Sequence, residues 1–69
     1  MNSMERVWVR IKLRAKKHPD RKILISMRES QDVVLNFCRL EKVNTPPQDA
    51  LQFLAKELVR LTLEAQHPS

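Results

Sequence analysis

The amino-terminal part of the chain alternates apolar residues with residues that are nearly all basic, in the run RVWVRIKLRAKK from Arg6 to Lys17. The apolar residues occupy every second position of this run: Val7, Val9, Ile11, Leu13 and Ala15. A repeat of two residues is typical of a half-buried β-strand, which has one face on a core and the other in solvent. The alternation therefore predicts a first strand over residues 6–16.

A turn and a second strand are predicted next. The tripeptide His18-Pro19-Asp20 suits a type I turn, because proline presets φ at the second position of such a turn. Alternate apolar residues from Ile23 to Met27 predict a strand over residues 22–28. In the register that pairs the residues on either side of the turn, the apolar residues of both strands share one face, so we expect an antiparallel hairpin.

The third apolar segment, residues 33–40, is open to two interpretations. Its adjacent valines, with Phe37 and Cys38, favour a strand. A helix could begin with Ser30 as its N-cap, but its apolar positions would then cover more than half of the helix circumference. We take the strand as the prediction and keep the helix as the alternative.

A carboxy-terminal helix is predicted over residues 46–66. Thr45 and Gln48 have the spacing of a capping box, Pro46 suits the first helical position, and leucines recur at helical spacing from Leu51 onwards. The predicted fold class is α+β: a three-stranded antiparallel sheet followed by one amphipathic helix packed on its apolar face (β-β-β-α), in a single domain of residues 1–69. The alternative is β-β-α-α.

Positive charge is concentrated at the front of the chain. The net charge is +5, but residues 1–28 carry +7 and residues 29–69 carry −2. Such an asymmetry indicates a polyanionic partner. On the predicted hairpin, cations on one strand would repeat about every 7 Å, since each residue rises roughly 3.3 Å, and this approaches the phosphate spacing of a nucleic-acid strand.

The function predicted from this surface is non-catalytic nucleic-acid binding. A basic sheet face with one tryptophan for base stacking favours RNA or a single strand over duplex DNA. The predicted contact residues are Arg6, Trp8, Arg10, Lys12, Arg14, Lys16, Lys17, Arg21, Lys22 and Arg28.

The alternative function is that of a protein-interaction subunit or adaptor. In the predicted sheet, the outer face of the second and third strands shows apolar residues that another surface would cover: Leu24, Val34, Cys38 and Leu40. Such a domain would dock on an acidic partner or self-associate. On either interpretation we expect a homo-oligomer or a subunit of a complex, because 69 residues provide a small core.

Several classes of site are not expected. The chain has no glycine, which excludes a P-loop, a dinucleotide fingerprint and the glycine-containing signatures of KH and RRM domains. No motif places a nucleophile beside a base, and Cys38, His18 and His67 lack the paired spacing of a zinc site. We therefore expect neither catalysis nor a metal or cofactor. The single cysteine, with no secretory signal or membrane span, favours an intracellular protein, cytoplasmic or nuclear, with no membrane partner.

Overall fold

The structure, a computed structural model, describes residues 2–17 and 26–66. Within these ranges the chain forms three α-helices: α1 at Ser3–Lys17, α2 at Met27–Leu40 and α3 at Gln48–Gln66. None of the described residues lies in a β-strand. The predicted β-β-β-α fold is therefore wrong, and so is its β-β-α-α alternative.

The predicted elements differ in outcome. The predicted strand over residues 6–16 is α1, and the one over residues 33–40 is part of α2, as the helical alternative for that segment had it. The carboxy-terminal helix is confirmed as α3. The predicted turn at residues 18–20 and residues 22–25 of the second strand lie outside the described residues, while residues 27–28 open α2.

α1 begins at an N-cap that the strand prediction overlooked. The backbone N–H of Glu5 donates to Oδ1 of Asn2 over 2.8 Å, and the N–H of Arg6 donates to the carbonyl oxygen of Asn2 over 3.2 Å. Nδ2 of Asn2 donates in return to Oε1 of Glu5, at 3.4 Å. The first two bonds satisfy backbone N–H groups at the start of the helix, and the third joins the two side chains.

The alternation of α1 resolves into two apolar stripes once each residue turns by about 100°. Val7, Ile11 and Ala15 follow each other at four-residue spacing and are buried against α2 and α3. Val9 and Leu13, which a strand would place on the same face as these three, lie on the opposite side and are exposed. The period of two was therefore an overlay of two helical periods.

α2 begins four residues before the position that the sequence indicated. Oγ of Ser26 accepts from the N–H of Glu29 over 3.1 Å, so Ser26 is the N-cap and Ser30 lies inside the helix. Ser30 is fully buried, and its hydroxyl donates to the carbonyl oxygen of Ser26 over 3.0 Å. This bond satisfies the buried hydroxyl.

α2 ends in a Schellman motif built around a lysine. The N–H of Val43 donates to the carbonyl oxygen of Cys38 over 2.8 Å, and the N–H of Lys42 donates to that of Arg39 over 3.1 Å. Lys42 takes the left-handed conformation that this motif requires, with φ at 57°. The motif turns the chain toward α3 and seats Val43 against the core.

α3 begins at Gln48, and its first hydrogen bond joins the N–H of Leu51 to the carbonyl oxygen of Pro47 over 2.9 Å. The helix thus starts two residues after the predicted first position, Pro46, which is itself buried. All three helices contribute to one core, of which the best-buried hydrophobic residues are Val7, Ile11, Ala15, Val34, Cys38, Leu51, Leu54, Ala55 and Leu58.

Candidate nucleic-acid interface

The predicted cations of the front segment are brought together on one helix. α1 carries six of them against one acidic residue, Glu5: Arg6, Arg10, Lys12, Arg14, Lys16 and Lys17. Arg28 is exposed in the first turn of α2, apart in sequence from this set. Arg21 and Lys22 lie outside the described residues. The cations therefore lie around a helix and not along one flat face of a β-hairpin, as the strand prediction had them.

The solvent face of α1 has an apolar centre between two basic rows. A turn of about 100° per residue places Arg6, Arg10 and Arg14 along one side of Val9 and Leu13. The same geometry places Lys12 and Lys16 along the other side. Leu13 is 61% exposed and Val9 is 39% exposed. We call this arrangement of seven residues the α1 face.

One basic row is partly neutralised by Glu41, the C-cap of α2. Its Oε1 lies 2.6 Å from Nε of Arg10, and its Oε2 lies 3.3 Å from Nε of Arg6. The two arginine side chains remain 41–45% exposed. With Val9 and Leu13, these three charged residues line a surface groove of about 300 Å³. Glu41 therefore joins α1 to α2 and lowers the positive charge of the groove.

The other cations of the α1 face are available to solvent. Lys12, Arg14 and Lys16 are exposed, and they form no ion pair with any residue in the described ranges. Lys12 and Lys16 also border a second groove, of about 270 Å³, between α1 and α3, where Glu64 lies on the opposite wall. Glu64 is itself held by Arg60 at 2.7 Å, so part of its charge is already balanced.

Trp8 is placed differently from the prediction. It is half-buried and packs against the hydrophobic core. Nζ of Lys12 lies over its ring, 5.6 Å from the centroid, at the distance of a cation–π contact. With the core and Lys12 both against it, the indole has less surface for base stacking than the hairpin prediction assumed. That prediction placed the whole ring among exposed cations.

The predicted protein-binding patch does not form. Val34 and Cys38 are buried in the core, at 0% and 2% exposure, because α2 turns them toward α1 and α3. Leu40 is 55% exposed at the end of α2, and Leu24 lies outside the described residues. The patch was an apolar sheet face, and the helical fold divides its members between core and surface.

Cys38 is a free cysteine in the core. Burial raises the pKa of its thiol above the ordinary value of 9.0, because an apolar surrounding disfavours the thiolate.

Within residues 2–17 and 26–66, no three His, Cys, Asp or Glu side chains are grouped as a metal site would need. The two histidines of the zinc argument, His18 and His67, fall outside these ranges. No described helix combines the length and apolar character required to cross a membrane.

Sequence reasoning did not foresee the apolar residues of the α1 face or the acidic residue that pairs with its arginines. The four-residue spacing of Val9 and Leu13 was visible, but the same spacing relates Val7 to Ile11, and a strand accounted for all four residues at once. Glu41 had no local signal, since it lies 31 residues from Arg10 and meets it through the packing of two helices.

Comparison of the chain with family models, with curated proteins and with solved structures finds no match.

Proposed function

We propose that this domain binds nucleic acid through the α1 face and acts as a binding module without catalysis. The observation that carries the proposal is the charge of α1, six cations against one acid, with Lys12, Arg14 and Lys16 exposed and unpaired within the described residues. Cations in this state neutralise phosphates and release counterions, which gives affinity that falls steeply with salt.

Fluorescence anisotropy of labelled oligonucleotides tests this proposal. We expect RNA, single-stranded DNA or duplex DNA to bind at low salt, and the logarithm of the association constant to fall linearly with the logarithm of salt concentration. The double variant Lys12→Gln/Lys16→Gln should weaken binding and reduce the salt slope by roughly 1.4–1.8, since each of the two phosphate contacts contributes roughly 0.7–0.9.

The matched control is Arg39→Gln/Lys56→Gln, which removes the same charge from exposed positions of α2 and α3. It should retain most of the affinity and of the salt slope. An equal loss in both double variants would show attraction by net charge and overturn the assignment to α1. If none of the three kinds of oligonucleotide shows salt-dependent binding at micromolar protein, the proposed function is overturned.

A second candidate function, protein interaction, is favoured by exposed apolar side chains outside α1. Phe53 on α3 is 59% exposed and Leu40 at the end of α2 is 55% exposed. Large exposed apolar residues are typical of surfaces that another protein covers, including a second copy of the chain. Sedimentation at several protein concentrations tests self-association. A strict monomer at all concentrations, together with an unchanged profile for Phe53→Ser, would exclude that form of the interaction.

A further inference from the structure

We infer that the α1 face is shaped for the major groove of duplex B-DNA, with Val9 and Leu13 toward the base edges and the two basic rows toward the phosphates of opposite strands. This inference rests on the proposed function and names its ligand. It replaces the preference for RNA or single strands, which depended on a flat sheet and a tryptophan surrounded by exposed cations.

The dimensions of α1 agree with this placement. The major groove of B-DNA is about 12 Å wide, and it admits one α-helix, whose diameter with side chains is about 10–12 Å. α1 has 15 residues and so extends over about 22 Å at 1.5 Å per residue. It is buried along the stripe from Val7 to Ala15, which leaves the opposite side to enter a groove.

The distribution of charge across α1 matches a groove bounded by two phosphate backbones. Arg6, Arg10 and Arg14 follow one edge of the face, and Lys12 and Lys16 follow the other. A single strand presents one backbone and would engage one row. A duplex presents a backbone on each side of the groove, so both rows have phosphates to neutralise.

The apolar centre of the face has a counterpart among the base edges. Thymine presents its C5-methyl group in the major groove, where aliphatic side chains contact it. Val9 and Leu13 are aliphatic, exposed and four residues apart, so they follow the floor of the groove over one helical turn. The major groove of A-form RNA is too deep and narrow for side chains to read, which separates duplex DNA from duplex RNA.

The test compares an alternating dA–dT duplex with a matched duplex in which deoxyuridine replaces thymidine, so that the two differ by the C5-methyl groups alone. A duplex RNA and a single strand of the same length complete the set. We expect the wild-type chain to prefer the thymine duplex by about fourfold for each methyl group that is buried, since one such group contributes about 0.8 kcal/mol. Duplex RNA and the single strand should bind more weakly than either DNA duplex.

The double variant Val9→Ala/Leu13→Ala should have a smaller preference for the thymine duplex than the wild type, because its two side chains are shorter, and it should retain the salt slope, because its cations are intact. Leu63→Ala is the control, since Leu63 is an exposed aliphatic residue of α3, 38% accessible, and should keep the wild-type preference. Both altered positions of α1 are on the surface, so far-UV circular dichroism of the variants should match that of the wild type.

Failure of this inference is distinguishable from failure of the proposed function. Equal affinity of the wild type for the thymine and uracil duplexes, or a preference for RNA or a single strand, would overturn the groove placement and leave nucleic-acid binding in place. If the chain binds none of the four nucleic acids, both the groove placement and the proposed function are overturned. Binding of an acidic amphipathic helical peptide under those conditions would then assign the α1 face to a protein partner.

Discussion

Arg10 and Glu41 are 31 residues apart in the sequence, yet Nε of Arg10 donates a 2.6 Å hydrogen bond to Oε1 of Glu41. The second carboxylate oxygen lies 3.3 Å from Nε of Arg6. One acidic residue at the end of α2 thus holds two cations of α1. Since both arginine side chains are more than one-third exposed, an approaching phosphate can contact them and compete with Glu41.

Under the proposed function, the replacement Glu41→Gln should therefore strengthen nucleic-acid binding. It releases Arg6 and Arg10 from their carboxylate partner, and we expect the affinity at low salt to rise by up to about fivefold, which corresponds to the ~1 kcal/mol upper range of an exposed ion pair. The salt slope should become steeper. The free energy of unfolding should fall by less than about 1 kcal/mol, since partly exposed pairs stabilise weakly. Anisotropy titrations and urea denaturation measure the two effects.

Glu57→Gln provides the matched control, because it makes the same change of charge on α3, where Glu57 pairs with Arg60 at 2.6 Å. It should leave the affinity close to that of the wild type. A similar gain in both variants would attribute the effect to net charge, and an unchanged affinity for Glu41→Gln would show that Glu41 does not compete with phosphate.

Truncation should destabilise the domain strongly at Ile11 and hardly at all at Leu13, although a strand would bury both. Ile11 is fully buried and Leu13 is 61% exposed. We expect Ile11→Ala to lower the free energy of unfolding by about 2–5 kcal/mol, through lost burial and a new cavity. Leu13→Ala should change it by less than about 0.5 kcal/mol. Denaturant unfolding followed by circular dichroism distinguishes them, and comparable losses at both positions would contradict the helical placement of α1.

The sequence was sufficient for α3 and insufficient for α1, for a physical reason. In α3 the leucines recur at a spacing that a helix alone explains. In α1 the residues from Val7 to Ala15 satisfy a period of two and a period of four together, because every second residue is apolar. Which period the chain adopts depends on which side chains can be buried. That depends on the packing of α1 against α2 and α3, which the local sequence pattern does not contain.

The same distinction applies to the candidate site. The number of basic residues on α1 could be counted from the sequence, because it follows from the order of residues alone. Their arrangement could not be predicted, because it follows from the helical turn, and the pairing of Arg6 and Arg10 with Glu41 follows from packing. Trp8 was predicted to be an exposed stacking residue, because in a strand it shares a face with the basic residues. In α1 it borders the buried stripe and packs on the core.

Lys42→Gly should stabilise the domain. Lys42 occupies the left-handed position of the Schellman motif, with φ at 57°, and a side chain with a Cβ is disfavoured there by roughly 1–2 kcal/mol. Part of this gain is offset by the greater backbone freedom of glycine in the unfolded chain. We expect a net increase of up to about 1 kcal/mol in the free energy of unfolding. Lys42→Ala keeps the Cβ and removes the charge, so it should not stabilise, and a gain from alanine equal to that from glycine would contradict the backbone explanation.

The thiol of Cys38 should make stability depend on alkaline pH. Burial raises the pKa of this group in the folded chain above the ordinary value of 9.0 that applies after unfolding. Below pH 9 the thiol is protonated in both states and its contribution to stability is fully present. As the pH rises above 9, the unfolded chain loses its thiol proton first, so this contribution decreases until the folded thiol also ionises. The stability advantage of the wild type over Cys38→Ala should therefore shrink above pH 9, while other alkaline titrations cancel between the two proteins.

A direct titration checks the same point. The chain contains no tyrosine, so the ultraviolet absorbance of the thiolate can be followed at alkaline pH without tyrosinate beneath it. Folded protein should ionise its single thiol at a higher pH than protein unfolded in urea, and Cys38→Ala should lack the transition. Coincident titration curves for folded and unfolded protein would contradict the burial of Cys38, and with it the packing of α2 that places Val34 and Cys38 on one buried stripe.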